Sequence, residues 1–175
     1  LVALADHMVH RPGGSLPEKI NSPKELRAMY RLLDCEEVTH EAILKAHQHY
    51  LLNTLLKSRS GFTLAVHDAT ELEYTNRKSL ADDLGQIGNG FRRGFIAQNS
   101  LLVCPETGAT LGLVNQHLHR RPRIKKGETR SQRQKRESRE SLLWIKGVQP
   151  LPADRKIVDV CDRGADTSEF IEHEA

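Results

Sequence analysis

Hydrophobic positions along this chain follow two different periods. Up to about residue 57 they recur at helical spacing. In "THEAILKAHQHYLLNTLLK" (39–57), Ile43, Leu44, Leu51, Leu52, Leu55 and Leu56 keep that spacing, with Thr39 placed to cap. "SPKELRAMYRLLD" (22–34) opens on Ser-Pro, a cap followed by a proline at the first helical position. Residues 1–57 are therefore expected to form a helical segment.

After the break "SRSG" (58–61) the period falls to two. "FTLAVHD" (62–68) sets Phe62, Leu64, Val66 and Asp68 on one parity. "GFIAQNSLLV" (94–103) and "TLGLVNQHLH" (110–119) predict two further strands joined by "CPETGA", where Pro105 and Gly108 suit a tight turn. "GQIGNGFRRG" (85–94) reads as a flexible connection, since it lacks the Gly-Lys-Ser/Thr ending of a phosphate loop. "ESLLWIKGV" (140–148) returns to a helical pattern, and "KIVDVCD" (156–162) predicts the fourth strand. Asp166 and Glu169 suggest a capping box for a closing helix.

This order predicts an α/β fold with a mixed sheet over residues 60–175. Strands one to three form a meander, and a crossover helix lets strand four lie parallel to strand one.

Charge changes the picture more than composition does. The net charge is +3, yet residues 117–139 carry ten Lys/Arg against two Glu, leaving −5 on the remainder. Such a block suits contact with phosphates; a solvated loop is the plain alternative. No apolar run approaches the roughly 20 residues that span a bilayer. Cys35, Cys104 and Cys161 are an odd set without close spacing, which fits a reducing cytoplasm. The chain opens on leucine with no charged-then-apolar leader, so an internal fragment without a targeting segment is expected.

The candidate chemistry lies in two aspartates. Val158, Val160 and Asp162 share one parity of strand four, as Leu64, Val66 and Asp68 do in strand one. In open α/β sheets ligands gather where parallel strands end. Two aspartates there, on strands whose backbones lie about 4.8 Å apart, repel unless a cation lies between them, and Mg²⁺ is the natural hard-oxygen filler. Taken singly, each aspartate reads better as a strand-end cap or the start of a turn, and only the matched pair turns the reading toward a metal. The pairs His47/His49 and His117/His119 lack a third ligand. His67, Cys161 and Trp144 read as packing residues rather than as base, nucleophile or base-stacking platform.

"LAVHDATELEY" (64–74), "RRGFIAQNSLLV" (92–103), "LGLVNQ" (111–116), "ESLLW" (140–144) and "IVDVCDRGAD" (157–166) resemble, in order, the signature blocks of bacterial cut-and-paste DDE transposases. The lead-in at 22–47 is similar as well. The resemblance implies a ribonuclease-H-like core and a two-metal Mg²⁺ or Mn²⁺ site. Asp68 and Asp162 match two of its three catalytic, metal-binding carboxylates. It further implies hydrolysis and strand transfer at transposon ends, DNA as partner, a homodimer on paired ends, and a nucleoid-associated cytoplasmic location. Arg120, Arg121, Arg123, Lys125, Lys126 and Arg163 become candidate DNA contacts. The family's glutamate, set in a Tyr–Arg–Glu–Lys pattern, has no counterpart after Asp162. Glu169, Glu172 and Glu174 follow too closely and are expected to face solvent. A partial transposase is the first expectation. A nuclease or resolvase of the same fold and a non-catalytic, inhibitory DNA-binding relic are the alternatives.

Overall fold

The computed structural model describes residues 2–56, 61–154 and 156–175. These fall into two compact units, residues 1–45 and 46–175. The expected break at 58–61 lies mostly outside the described residues.

The first unit is helical: α1 (Val2–His10), α2 (Leu16–Lys19), α3 (Pro23–Leu33) and the start of α4 (His40–Tyr50). The caps are those the sequence offers. Ser22 accepts from Glu25 N ahead of α3, and Thr39 Oγ1 accepts from Ala42 N at 3.1 Å ahead of α4. Ile20 and Met29 are its buried apolar residues. Beyond α4 the helix widens into a π-helical turn, Leu51–Leu55.

The second unit is a mixed five-stranded sheet with helices. Its strands are β1 (Thr63–Glu73), β2 (Gly85–Gln86), β3 (Arg93–Val103), β4 (Thr110–His119) and β5 (Ile157–Val160). β1, β3 and β4 form an antiparallel meander. β5 lies parallel to β1 on its other edge. The crossover to β5 contains α5 (Arg130–Gln134), a 3₁₀ turn (Glu140–Leu142) and α6 (Leu143–Val148); α7 (Ser168–Glu174) follows β5.

The segment expected to be a flexible connection is instead a small hairpin. β2 pairs with Arg93 and Gly94, and Ile87 is buried beneath it. Its glycines permit close approach: a side chain on Gly94 would meet Leu72 O at 1.8 Å. The strand expected to end at Asp68 continues to Glu73, because β3 supplies antiparallel partners as far as Gly94. The cap of α7 is Thr167, which accepts from Phe170 N, and not Asp166.

Burial falls on the parity opposite to the apolar one in β1. Thr63, Ala65 and His67 are buried, whereas Leu64 and Val66 are half-buried. The covered face joins Ala65, Leu102 and Val114 to Leu51 and Leu56, with Ile157 against them. Trp144, Val148, Ala165 and Phe170 form a second cluster under α6 and α7. Each fully buried leucine here contributes roughly 1.5–3 kcal/mol. Small residues line this face because α6 comes close: a Cβ on Gly147 would sit 3.1 Å from His67 Nδ1 and 3.2 Å from Ser100 Oγ. On the other face Val158 and Val160 of β5 are exposed.

Candidate functional site

The parallel ladder between β1 and β5 runs from Thr63↔Ile157 to Val66↔Val160. The strand expected over 156–162 ends earlier, at Val160, so the pairing stops two residues short of both aspartates, and Asp162 lies beyond β5 as the cap of the 3₁₀ turn Arg163–Ala165. The backbone at Asp162 is still extended, φ −81° and ψ −178°. Asp68 is cross-strand partner to Asn99, and Asn99 is partner to Gln116. Gln116 Nε2 donates to Asn99 Oδ1 at 2.7 Å. A polar row, Gln116–Asn99–Asp68, therefore crosses β4, β3 and β1 at one level, just beyond the paired Leu64, Val66, Val158 and Val160.

Each aspartate has one oxygen engaged locally. Asp68 Oδ1 accepts from Ala69 N at 2.8 Å, and Asp162 Oδ1 accepts from Gly164 N at 2.7 Å. Both side chains are exposed, which leaves their second oxygens to solvent or a ligand. Two carboxylates are hard oxygen donors of the kind Mg²⁺ takes, with further positions left to water and substrate phosphate. Among the described residues no group of three or more His, Cys, Asp or Glu converges to hold a metal.

On the covered face lies a buried polar chain. His67 Nδ1 is 2.8 Å from Ser100 Oγ, and His67 Nε2 is 2.7 Å from Asp159 Oδ1. Ser100 Oγ also donates to Gly147 O at 3.1 Å. Asp159 went unremarked in the sequence. The available signal was a carboxylate in mid-strand on the buried parity, a costly position unless it is paired.

The basic segment is ordered around α5, which Thr129 and Gln132 cap reciprocally. Arg136 Nε donates to Glu128 Oε1 at 2.7 Å, closing residues 128–136 into a loop. Arg121 is paired with Glu140 and donates to Gln86 O at 3.1 Å. The hydrogen bond from Arg121 holds the Glu140 carboxyl below the ordinary carboxylate range. Arg121 and Arg123 line one cleft with Arg93, Arg133, Arg136 and Arg139. Arg120, Lys125, Lys126 and Arg163 are exposed and are not among its lining residues.

Compared with known proteins, the chain matches no family model, and no curated protein matches it either. The residues themselves therefore carry the functional reading.

The remaining sequence-derived sites resolve as packing or local bonding. Trp144 is buried in the α6–α7 cluster. Burial first, and then Asp159, push the Cys161 thiol up to about 11, so it is poorly suited to act as a nucleophile. His117 Nε2 lies 3.4 Å from Lys146 Nζ, while His119 is buried. Glu172 and Glu174 are exposed as expected. Glu169 is not free in solvent, because it accepts from Arg139 Nη1 at 2.8 Å. The sequence reading missed Asn99, Gln116 and Arg93, whose roles depend on cross-strand neighbours.

Proposed function

We propose that this chain is part of a DNA transposase with a ribonuclease-H-like core, in which Asp68 and Asp162 hold Mg²⁺ or Mn²⁺. The observation that carries the reading is the parallel β1–β5 register, whose paired residues end at Val66↔Val160, two residues before each aspartate. The polar row through Asn99 and Gln116 and the strand order β4-β3-β1-β5 support it. Bound metal supplies an activated water or 3′-hydroxyl and stabilises the departing oxygen of the phosphodiester. Asp68 and Asp162 bind it, Asn99 borders the site, and the arginine cleft takes the DNA backbone. The proposed setting is a homodimer acting on transposon ends and target DNA in the bacterial cytoplasm.

Mn²⁺ titration of the 175-residue chain, followed by electron paramagnetic resonance, tests the assignment. Asp68→Asn and Asp162→Asn should each weaken binding by about tenfold or more, since one of two charged ligands is lost. Unchanged affinity in either variant overturns it. A second reading, a DNA-binding chain without catalysis, is favoured by the arginine cleft, which needs no metal. DNA binding without Mn²⁺ binding would select that reading.

A further inference from the structure

Phe91 is the most exposed large apolar side chain among the described residues, at 91%. It stands at the tip of the β2–β3 hairpin, last in the loop Gly88–Asn89–Gly90–Phe91. Ile87 N closes that loop by donating to Arg92 O at 3.1 Å.

An exposed ring would mean little in a loose loop, but this loop is tied on both sides of it. Ile87 is buried with Ile96 and Leu143. Gly88 N donates to Glu71 Oε1 at 2.6 Å, and Gln86 Nε2 donates to Gly90 O at 3.2 Å. Arg92 Nε donates to Glu73 Oε2 at 2.9 Å. Gly88 and Gly90 take φ of 47° and 81°, which glycine adopts without strain, and they leave the tip slender. A Cβ on Gly90 would meet nothing within 4 Å. The bonds that hold the loop keep the ring outside, so a partner meets it already ordered.

The surroundings of the ring select the partner. A protein interface buries its aromatic anchor within a wider apolar patch, whereas the neighbours here are glycine, asparagine and arginine. The stem of the same hairpin supplies Gly85, Gln86 and Arg93 to the wall of the arginine cleft. Phe91 is two residues from Arg93, about 7 Å along an extended chain. Aromatic rings set beside cationic grooves stack on bases whose backbone the groove holds.

We infer that Phe91 is a base-stacking wedge, whose ring enters the base stack of a DNA duplex held by the arginine cleft. The wedge rests on the reading of DNA as partner. It adds a contact to bases, and with it a preference for steps that unstack easily, such as TA.

Fluorescence anisotropy of the full chain tests the wedge with two labelled duplexes of equal length, one with a central TA step and one an uninterrupted A-tract. The wild-type chain should bind the TA duplex about threefold or more tightly. Phe91→Ala should lose about tenfold in affinity for that duplex, and the preference with it. Its salt slope should not change, because no charge is removed. Phe91→Leu keeps an apolar wedge and should retain much of the preference. 2-Aminopurine at the TA step should brighten on binding of the wild-type chain but not of Phe91→Ala. An exposed ring adds little to folding, so the urea midpoint of Phe91→Ala should match the wild-type value.

Equal affinities of wild type and Phe91→Ala for both duplexes would overturn the wedge and leave the transposase reading in place. A loss equal for both duplexes, without brightening of 2-aminopurine, would also overturn it. So would Phe91-dependent binding to vesicles of phosphatidylserine and phosphatidylcholine without Phe91-dependent binding to DNA. A Phe91-dependent step preference in a chain that binds no Mn²⁺ keeps the wedge and removes the metal-dependent reading. If the wild-type chain binds neither duplex, the wedge and the DNA reading fall together.

Discussion

His67 Nε2 and Asp159 Oδ1 lie 2.7 Å apart across β1 and β5, behind the face that carries Asp68. His67 precedes Asp68 by one residue, and Asp159 precedes Asp162 by three. The bond joins the two strands close to where their pairing ends, just before the two aspartates. Removing Asp159 leaves His67 Nε2 buried without its partner, and removing His67 leaves the half-buried Asp159 carboxylate without its own. His67→Ala or Asp159→Ala should therefore cost about 3 kcal/mol of stability in urea denaturation. A loss within experimental error would mean that the pair contributes little to the β1–β5 contact.

Gly147 is the point at which α6 touches this pair. A Cβ there meets His67 Nδ1 and Ser100 Oγ at 3.1 and 3.2 Å. Gly147→Ala should destabilise the chain by about 1–3 kcal/mol through overpacking, although alanine is the better helix former. An increase in melting temperature would show that α6 has room to move outward.

Acid should weaken the arginine cleft in two steps. Burial lowers the His119 pKa below its usual 6.5, so unfolding takes up a proton below that value and stability falls there as pH falls. The hydrogen bond from Arg121 depresses the Glu140 pKa below 4.5, so its stabilisation is full above 4.5 and is lost as pH drops through the folded value. Glu140→Gln should flatten the lower part of the acid limb, and His119→Gln the upper part. Urea midpoints measured from neutral pH downward check both signs.

Cysteine alkylation reads burial directly. The Cys161 thiol, pushed up to about 11 by burial and then by Asp159, should react slowly with iodoacetamide at neutral pH. Cys104 is buried, and Cys35 is exposed and should label first. Peptide mapping by mass spectrometry gives the order. Early labelling of Cys161 would mean that β5 opens locally.

Much of the fold was legible because local patterns record it. The caps Ser22 and Thr39, the hairpin turn at 104–109 and the parity of Asp68 and Asp162 are short-range features that backbone sterics and side-chain alternation enforce. The β2–β3 hairpin was not legible. Its two-residue strand has no periodicity, and its glycines serve close packing rather than flexibility. Nor was the extent of β1 beyond Asp68, which depends on pairing partners that β3 supplies.

The sequence by itself determined the period of each segment, the parity of the two aspartates and the density of positive charge at 117–139. Those are properties of neighbours along the chain. Tertiary structure alone decided which sheet face is covered, since the approach of α6 at Gly147 selects the small parity of β1 over the apolar one. It also decided which arginines converge. Arg93, Arg123 and Arg133 share one cleft only because the β2–β3 hairpin and the segment that carries α5 border the same space. Burial and convergence are set by elements distant in sequence, and no local pattern encodes them.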